Sequence, residues 1–175
     1  GEIKKEKGIH TLIEAVEGMP DIKLLLIGRE ESVAGKHDER VLEQYKNFIR
    51  SGRSMVLDWM DREELFKYMR RAKAVILPSE CEETFGRVLV EAIYNGTLSI
   101  GSDRGGIPEV LGHNKEYIFR SGDANDLRNR IDRVINMSAS EYLEEAAKQQ
   151  KAALRFSDGE FTDNWERFFI KQTDQ

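Results

Sequence analysis

The sequence predicts an α/β fold, a doubly wound parallel sheet flanked by helices. Three observations predict it. Short apolar runs alternate along the chain with segments whose apolar residues recur at helical spacing. The run at residues 22–27 is continuously apolar apart from Lys23 rather than alternating, as expected of a strand covered on both faces. The length of 175 residues and a hydrophobic fraction of 39% suit one domain with one core. In such sheets the connections are right-handed crossovers, and ligands bind beyond the carboxyl ends of the strands.

Each element has its own signal. Ile9, Leu12, Ile13 and Val16 recur at i, i+3, i+4 and i+7, which predicts a helix ending at Gly18. Residues 22–27 form an apolar strand interrupted only by Lys23, and Gly28 ends it. Residues 29–37 are polar and predict a loop. Val41, Tyr45, Phe48 and Ile49 make the next helical stripe, and residues 54–59 the next strand. Asp61 with Glu64 resembles a capping box ahead of Leu65, Phe66 and Met69. Strands follow at 74–77, 98–100 and 117–119. Residues 107–111 predict a short helix with Pro108 in its first turn. Asp123 caps a helix with Leu127, Ile131, Val134 and Ile135 on one face. Residues 140–154 form an Ala-rich helix. Phe161, Trp165, Phe168 and Phe169 give an aromatic face to a last helix.

Composition excludes several functions. With 27 basic and 32 acidic residues the net charge is −5, which argues against a nucleic-acid binder. The single cysteine, Cys81, rules out an internal disulfide and a Cys-rich zinc site, and a small apolar filler is its expected role. No apolar run reaches membrane-spanning length, and the first residues do not read as a signal peptide. The expected compartment is the cytoplasm. His10, His37 and His113 lack paired ligand spacing, so no metal site is expected. The segment 28–36 has six residues between its glycines and not the four of a P-loop, and His37 replaces the Ser or Thr that would meet magnesium. No Gly-x-Gly-x-x-Gly follows a strand.

The stretch from Pro78 to Glu91 (Pro-Ser-Glu-Cys-Glu-Glu-Thr-Phe-Gly-Arg-Val-Leu-Val-Glu) carries the chemistry. A strand stops at Pro78, a polar loop follows, and a helix is expected from about Phe85 to Tyr94. The first N–H groups of a helix lack internal partners and its dipole is positive there, which suits an anion. Gly86 would let a ligand approach the backbone. Glu83 and Glu91 are eight residues apart. They would lie about 80° apart around one helix. The spacing fits better with Glu83 ahead of the helix and Glu91 two turns in, both bordering one crevice. On spacing alone, an acidic loop beside a surface helix fits equally well.

This stretch, with Gly105-Gly106-Ile107-Pro108-Glu109 in the right order after it, resembles the retaining family-4 (group 1) glycosyltransferases of GT-B architecture. The resemblance runs from Gly1 to about Gly122. It implies a Rossmann-like domain, the C-terminal, donor-binding half of such an enzyme. Residues 1–175 would be a single nucleotide-sugar-binding domain, with the family's first strand and N-terminal acceptor domain absent from the chain and 157–171 as a crossover helix. The implied catalytic residues are Glu83, near the transferred sugar, and Lys7, on the diphosphate. The implied donor-binding residues are Phe85, Gly86, Arg87, Val88, Glu91, Gly1, Gly28, Gly105 and Gly106. The implied donor is a UDP- or GDP-sugar, used without cofactor or metal in polysaccharide biosynthesis. The resemblance also allows a peripheral association of the full-length enzyme with the inner face of the cell membrane. Two positions depart from the family: Glu2 stands where an arginine is usual, and Asp58 where a glycine is usual. These departures keep open a degenerate binding module, and the architecture keeps open a sugar-nucleotide epimerase. Trp59 is read equally as a base-stacking ring or as buried packing.

Overall fold

The computed structural model describes residues 4–28 and 39–156. After a short 3₁₀ turn at Lys5–Lys7 come α1 (Ile9–Glu17), β1 (Leu24–Ile27), α2 (Glu39–Arg50), β2 (Ser54–Leu57), α3 (Arg62–Arg71) and β3 (Ala74–Leu77). The chain continues with α4 (Arg87–Tyr94), β4 (Leu98–Ser102), α5 (Ile107–Val110), β5 (Ile118–Phe119), α6 (Ala124–Ile135) and α7 (Ala139–Ala153). A second 3₁₀ turn closes the described part at Leu154–Phe156. The predicted aromatic helix at 157–171 lies outside the described residues.

All strand pairs are parallel, as expected. Among the described residues they form two ladders instead of one: β1 with β2, and β3-β4-β5 with β4 central. Ala74 pairs with Leu98 and Leu77 with Gly101, while Gly101 and Ser102 pair with Ile118 and Phe119. Only β4 is buried along its whole length; β1 and β3 are half-buried and β2 carries an exposed Met55. The two-faced covering expected of residues 22–27 is therefore partial, with Leu26 the buried residue of β1.

Helix starts follow their caps. The Asp61 carboxylate accepts the Glu64 N–H at 2.9 Å, and Asp123 accepts that of Asp126 at 3.0 Å. Ser138 and Glu141 form a reciprocal capping box at the head of α7. Two ends differ from expectation. β2 stops at Leu57, so Asp58 and Trp59 lie beyond it, and Trp59 is 71% exposed. This overturns its buried-packing reading. The helix expected from Phe85 starts at Arg87 because Gly86 has a left-handed backbone, φ 70°.

The core joins α1, α4 and α6 to β4 and β5 through Ile13, Leu89, Ile93, Ile100, Leu127 and Phe119. Among the polar side chains buried with it is Gln149. The Gln149 side chain accepts the Ser99 N–H at 2.8 Å and donates to the Ser99 carbonyl at 3.0 Å. β5 pairs with β4 only from Gly101 onward. Gln149 thus completes the ladder where no strand reaches. Gln149→Leu keeps the volume but strands a buried N–H and C=O. It is expected to destabilise the domain by roughly 2–4 kcal/mol in denaturant unfolding.

Candidate functional site

The first 3₁₀ turn and the loop from β3 to α4 are sewn together by backbone. The Glu6 carbonyl accepts the Glu80 N–H at 2.8 Å and the Cys81 N–H at 3.2 Å. Gly8 permits the contact, since a Cβ there would fall 1.8 Å from the Pro78 carbonyl oxygen. Residues 76 positions apart are thereby brought into register: Lys7 Nζ lies 2.5 Å from Glu83 Oε1. The Ser79 hydroxyl donates to the same Oε1 at 2.5 Å. Ser79 is itself fixed, its carbonyl accepting the Ser102 hydroxyl at 2.6 Å and the Ser121 hydroxyl at 3.4 Å. The carboxylate of Glu83 is therefore oriented from two sides.

The electrostatics agree with the geometry. Partial burial works to raise the Glu83 pKa, but the bonds from Lys7 and Ser79 outweigh it and hold the carboxyl below its ordinary 4.5. The bond to Glu83 raises Lys7 above its ordinary 10.5, against the effect of burial, with Cys81 nearby adding to the rise. Cys81, expected to be a filler, lies beside this ammonium.

The glycine pair has a structural role in the cluster. Gly106 donates its N–H to the Glu83 carbonyl at 2.7 Å. A Cβ on Gly105 would lie 2.0 Å from that same oxygen, and one on Gly106 2.6 Å from the Thr84 carbonyl. The pair brings two loops of the protein together and clasps the backbone that carries Glu83. Gly86 has a structural role too. A Cβ there would point inward at Leu77 and Ile107, so the position demands glycine for its φ of 70°.

No side chain caps α4. The Phe85 ring turns inward, edge-on to Phe156 with centroids 4.9 Å apart, and Val88 packs on the core. Arg87 is exposed and 3.9 Å from Glu91. Glu91 is the fifth residue of α4, one turn in and not two, and accepts from Arg62 at 3.0 Å. Gly28 lies at the carboxyl end of β1, its N–H bonded to the Leu57 carbonyl at 3.0 Å. Gly1 lies outside the described residues. The structure thus gathers Lys7, Glu83, Gly105 and Gly106 in one cluster, and binds Glu91 to Arg62 and Arg87 in another.

Sequence reasoning missed Ser79, Glu80, Thr11 and Arg62. Ser79 alone had a usable signal, its place directly after the strand-ending Pro78. His10, read only as lacking metal-ligand spacing, has its Nε2 3.1 Å from Glu80 Oε1.

A parallel α/β domain with its charged cluster beyond the carboxyl end of β3 has the fold of the GT-B glycosyltransferases. The crystal structure of Anabaena HepE in complex with UDP and glucose superposes with a TM-score of 0.79 at 24% identity, covering 99% of this chain and 47% of that one. The chain belongs to the glycosyl transferases group 1 family, whose model matches residues 1–153. Among curated relatives, the N-acetyl-α-D-glucosaminyl L-malate synthase of Bacillus anthracis is 30% identical over 144 residues, 80% of this chain and 35% of that protein. The lipopolysaccharide 1,2-N-acetylglucosaminetransferase of Salmonella typhimurium is 26% identical over 159 residues, 85% of this chain and 41% of that protein. The chain therefore spans less than half the length of these relatives. No helix among the described residues is long and apolar enough to cross a membrane.

Two measurements check this geometry. Gly105→Ala combines a left-handed φ with overlap on backbone, and is expected to cost on the order of 2–4 kcal/mol in thermal or denaturant unfolding. Gly86→Ala meets side chains at 3.4 Å or more, and should cost only about 1–2 kcal/mol. The stability difference between wild type and Glu83→Gln gives the pH dependence. Glu83 has a lowered pKa, so its contribution is present above pH 4.5 and is lost as pH falls through its folded value. Lys7 has a raised pKa, so its contribution is present below pH 10.5 and is lost as pH rises through its folded value. The difference should be flat between these limits and shrink outside them.

Proposed function

We propose that this domain binds the nucleoside diphosphate of a UDP- or GDP-sugar and is the donor-binding, C-terminal half of a retaining glycosyltransferase of family 4. The observation that carries the proposal is the Lys7–Glu83 pair, held at 2.5 Å by backbone clasps beside the uncapped start of α4. The crystal structure of HepE in complex with UDP and glucose supports the donor class. Lys7 meets the diphosphate, and the first amides of α4 add the positive end of the helix dipole. Glu83 orients the transferred sugar through hydrogen bonds from its hydroxyls. Glu91 accepts from the ribose, leaving Arg62 to do so.

In the transfer step, the bond from the anomeric carbon to the diphosphate oxygen breaks and its electron pair leaves with the nucleoside diphosphate. The acceptor hydroxyl forms the new bond on the same face, and its proton passes to the departing phosphate oxygen. Lys7 and the α4 amides stabilise the charge that develops on that oxygen. The same groups do the work of a divalent cation, so the proposal includes no metal. The acceptor, a glycan or a lipid, is bound by an N-terminal domain in cis, and the isolated donor domain turns over little.

Calorimetric titration with UDP, GDP and their sugar conjugates tests the proposal. Binding of one of the two nucleotide series is expected, unchanged by EDTA. Lys7→Ala should weaken it about tenfold or more, the value of a hydrogen bond to a charged group. An absence of binding at millimolar nucleotide, or equal affinity in Lys7→Ala, would refute it.

A further inference from the structure

Glu80 joins the same loop to α1 by a route separate from the Lys7–Glu83 pair. Its N–H is one of the two that bond the Glu6 carbonyl. Its Oε1 accepts the Thr11 hydroxyl at 2.5 Å and lies 3.1 Å from His10 Nε2. His10 and Thr11 sit in the first turn of α1, a helix with glycine at its N-cap and no side-chain cap bond. A carboxylate from another element thus serves the positive end of that helix. Lys7 is one residue ahead of the α1 cap, between the two anchors of the turn.

The His10–Glu80 contact has the form of an acid–base dyad, but its geometry argues otherwise. His10 turns its Nε2 to Glu80, and its other nitrogen, Nδ1, is buried with no hydrogen-bond partner. The imidazole therefore presents no nitrogen to a substrate beyond Glu80. Thr11 is fully buried and also has no chemistry to offer. What remains is a mechanical role.

We propose that Glu80 is a positioning residue for Lys7: by bonding Thr11 and His10 it fixes the head of α1 against the β3–α4 loop, and so holds the Lys7 ammonium against Glu83. The inference rests on the reading of Lys7 as the diphosphate contact only for its effect on binding; the effect on Lys7 itself is independent of any ligand.

Two readouts test it on the intact chain. The first is the rate at which acetic anhydride labels Lys7, followed by peptide mass spectrometry, with Glu83→Gln as the reference for a released amine. Glu80→Ala should raise Lys7 labelling several-fold toward that reference, and Glu80→Gln, which still accepts from Thr11, should stay nearer wild type. Thr11→Val, which keeps the buried shape, replaces Glu80→Ala if that variant does not fold. Unchanged Lys7 labelling in both Glu80→Ala and Thr11→Val overturns the proposal. The second readout is a double-mutant cycle in the affinity for UDP or GDP. Glu80→Ala should weaken binding about tenfold in the wild-type background and less than twofold on top of Lys7→Ala. Equal losses in the two backgrounds overturn a role through Lys7. If the wild-type chain binds neither nucleotide, the proposed function fails, and the labelling arm alone decides for or against Glu80.

Discussion

The backbone bonds from Glu80 and Cys81 to the Glu6 carbonyl are the constraint on which the site depends. An ion pair between partly exposed groups contributes little by itself, because holding two long side chains together costs entropy and water screens the charges. Here the two side chains are delivered already close. The turn that carries Lys7 is fixed to the loop that carries Glu83 by main-chain bonds and by the fit of Gly8 against Pro78. Ser79, anchored in turn by Ser102 of β4, aims the carboxylate. The sheet thus orients the site through one serine, and α1 orients it through one turn.

Much of the fold was legible because its signals are local. Apolar periodicity and the Asp61 and Asp123 caps place α3 and α6 within a residue or two. The errors are where a side chain and a backbone disagree. Phe85 is apolar and continues a helical pattern, yet Gly86 after it takes a conformation no right-handed helix contains. Trp59 is apolar and continues a strand pattern, yet lies past the end of β2, exposed. Periodicity reads side chains only, so it extends an element through any apolar neighbour.

The site was legible in type and not in wiring. Glu80, Glu82 and Glu83 fall within four positions, and no spacing rule separates them. Tertiary contact does: Glu83 meets Lys7, Glu80 meets Thr11 and His10, and Glu82 stays exposed with Arg104 at 3.8 Å. The glycines show the same limit. A Gly-Gly step is visible in any sequence, but only the structure reveals that its missing side chains make room for the Glu83 and Thr84 carbonyls.

Gln149 has a consequence beyond the energy of its two bonds. A strand flank with free N–H and C=O groups is a template on which another chain can assemble by edge pairing. β4 is a central strand, but its Ser99 flank has no β5 beside it. By occupying that flank with an amide borrowed from a helix, α7 supplies the edge pairing that a neighbouring strand would otherwise give.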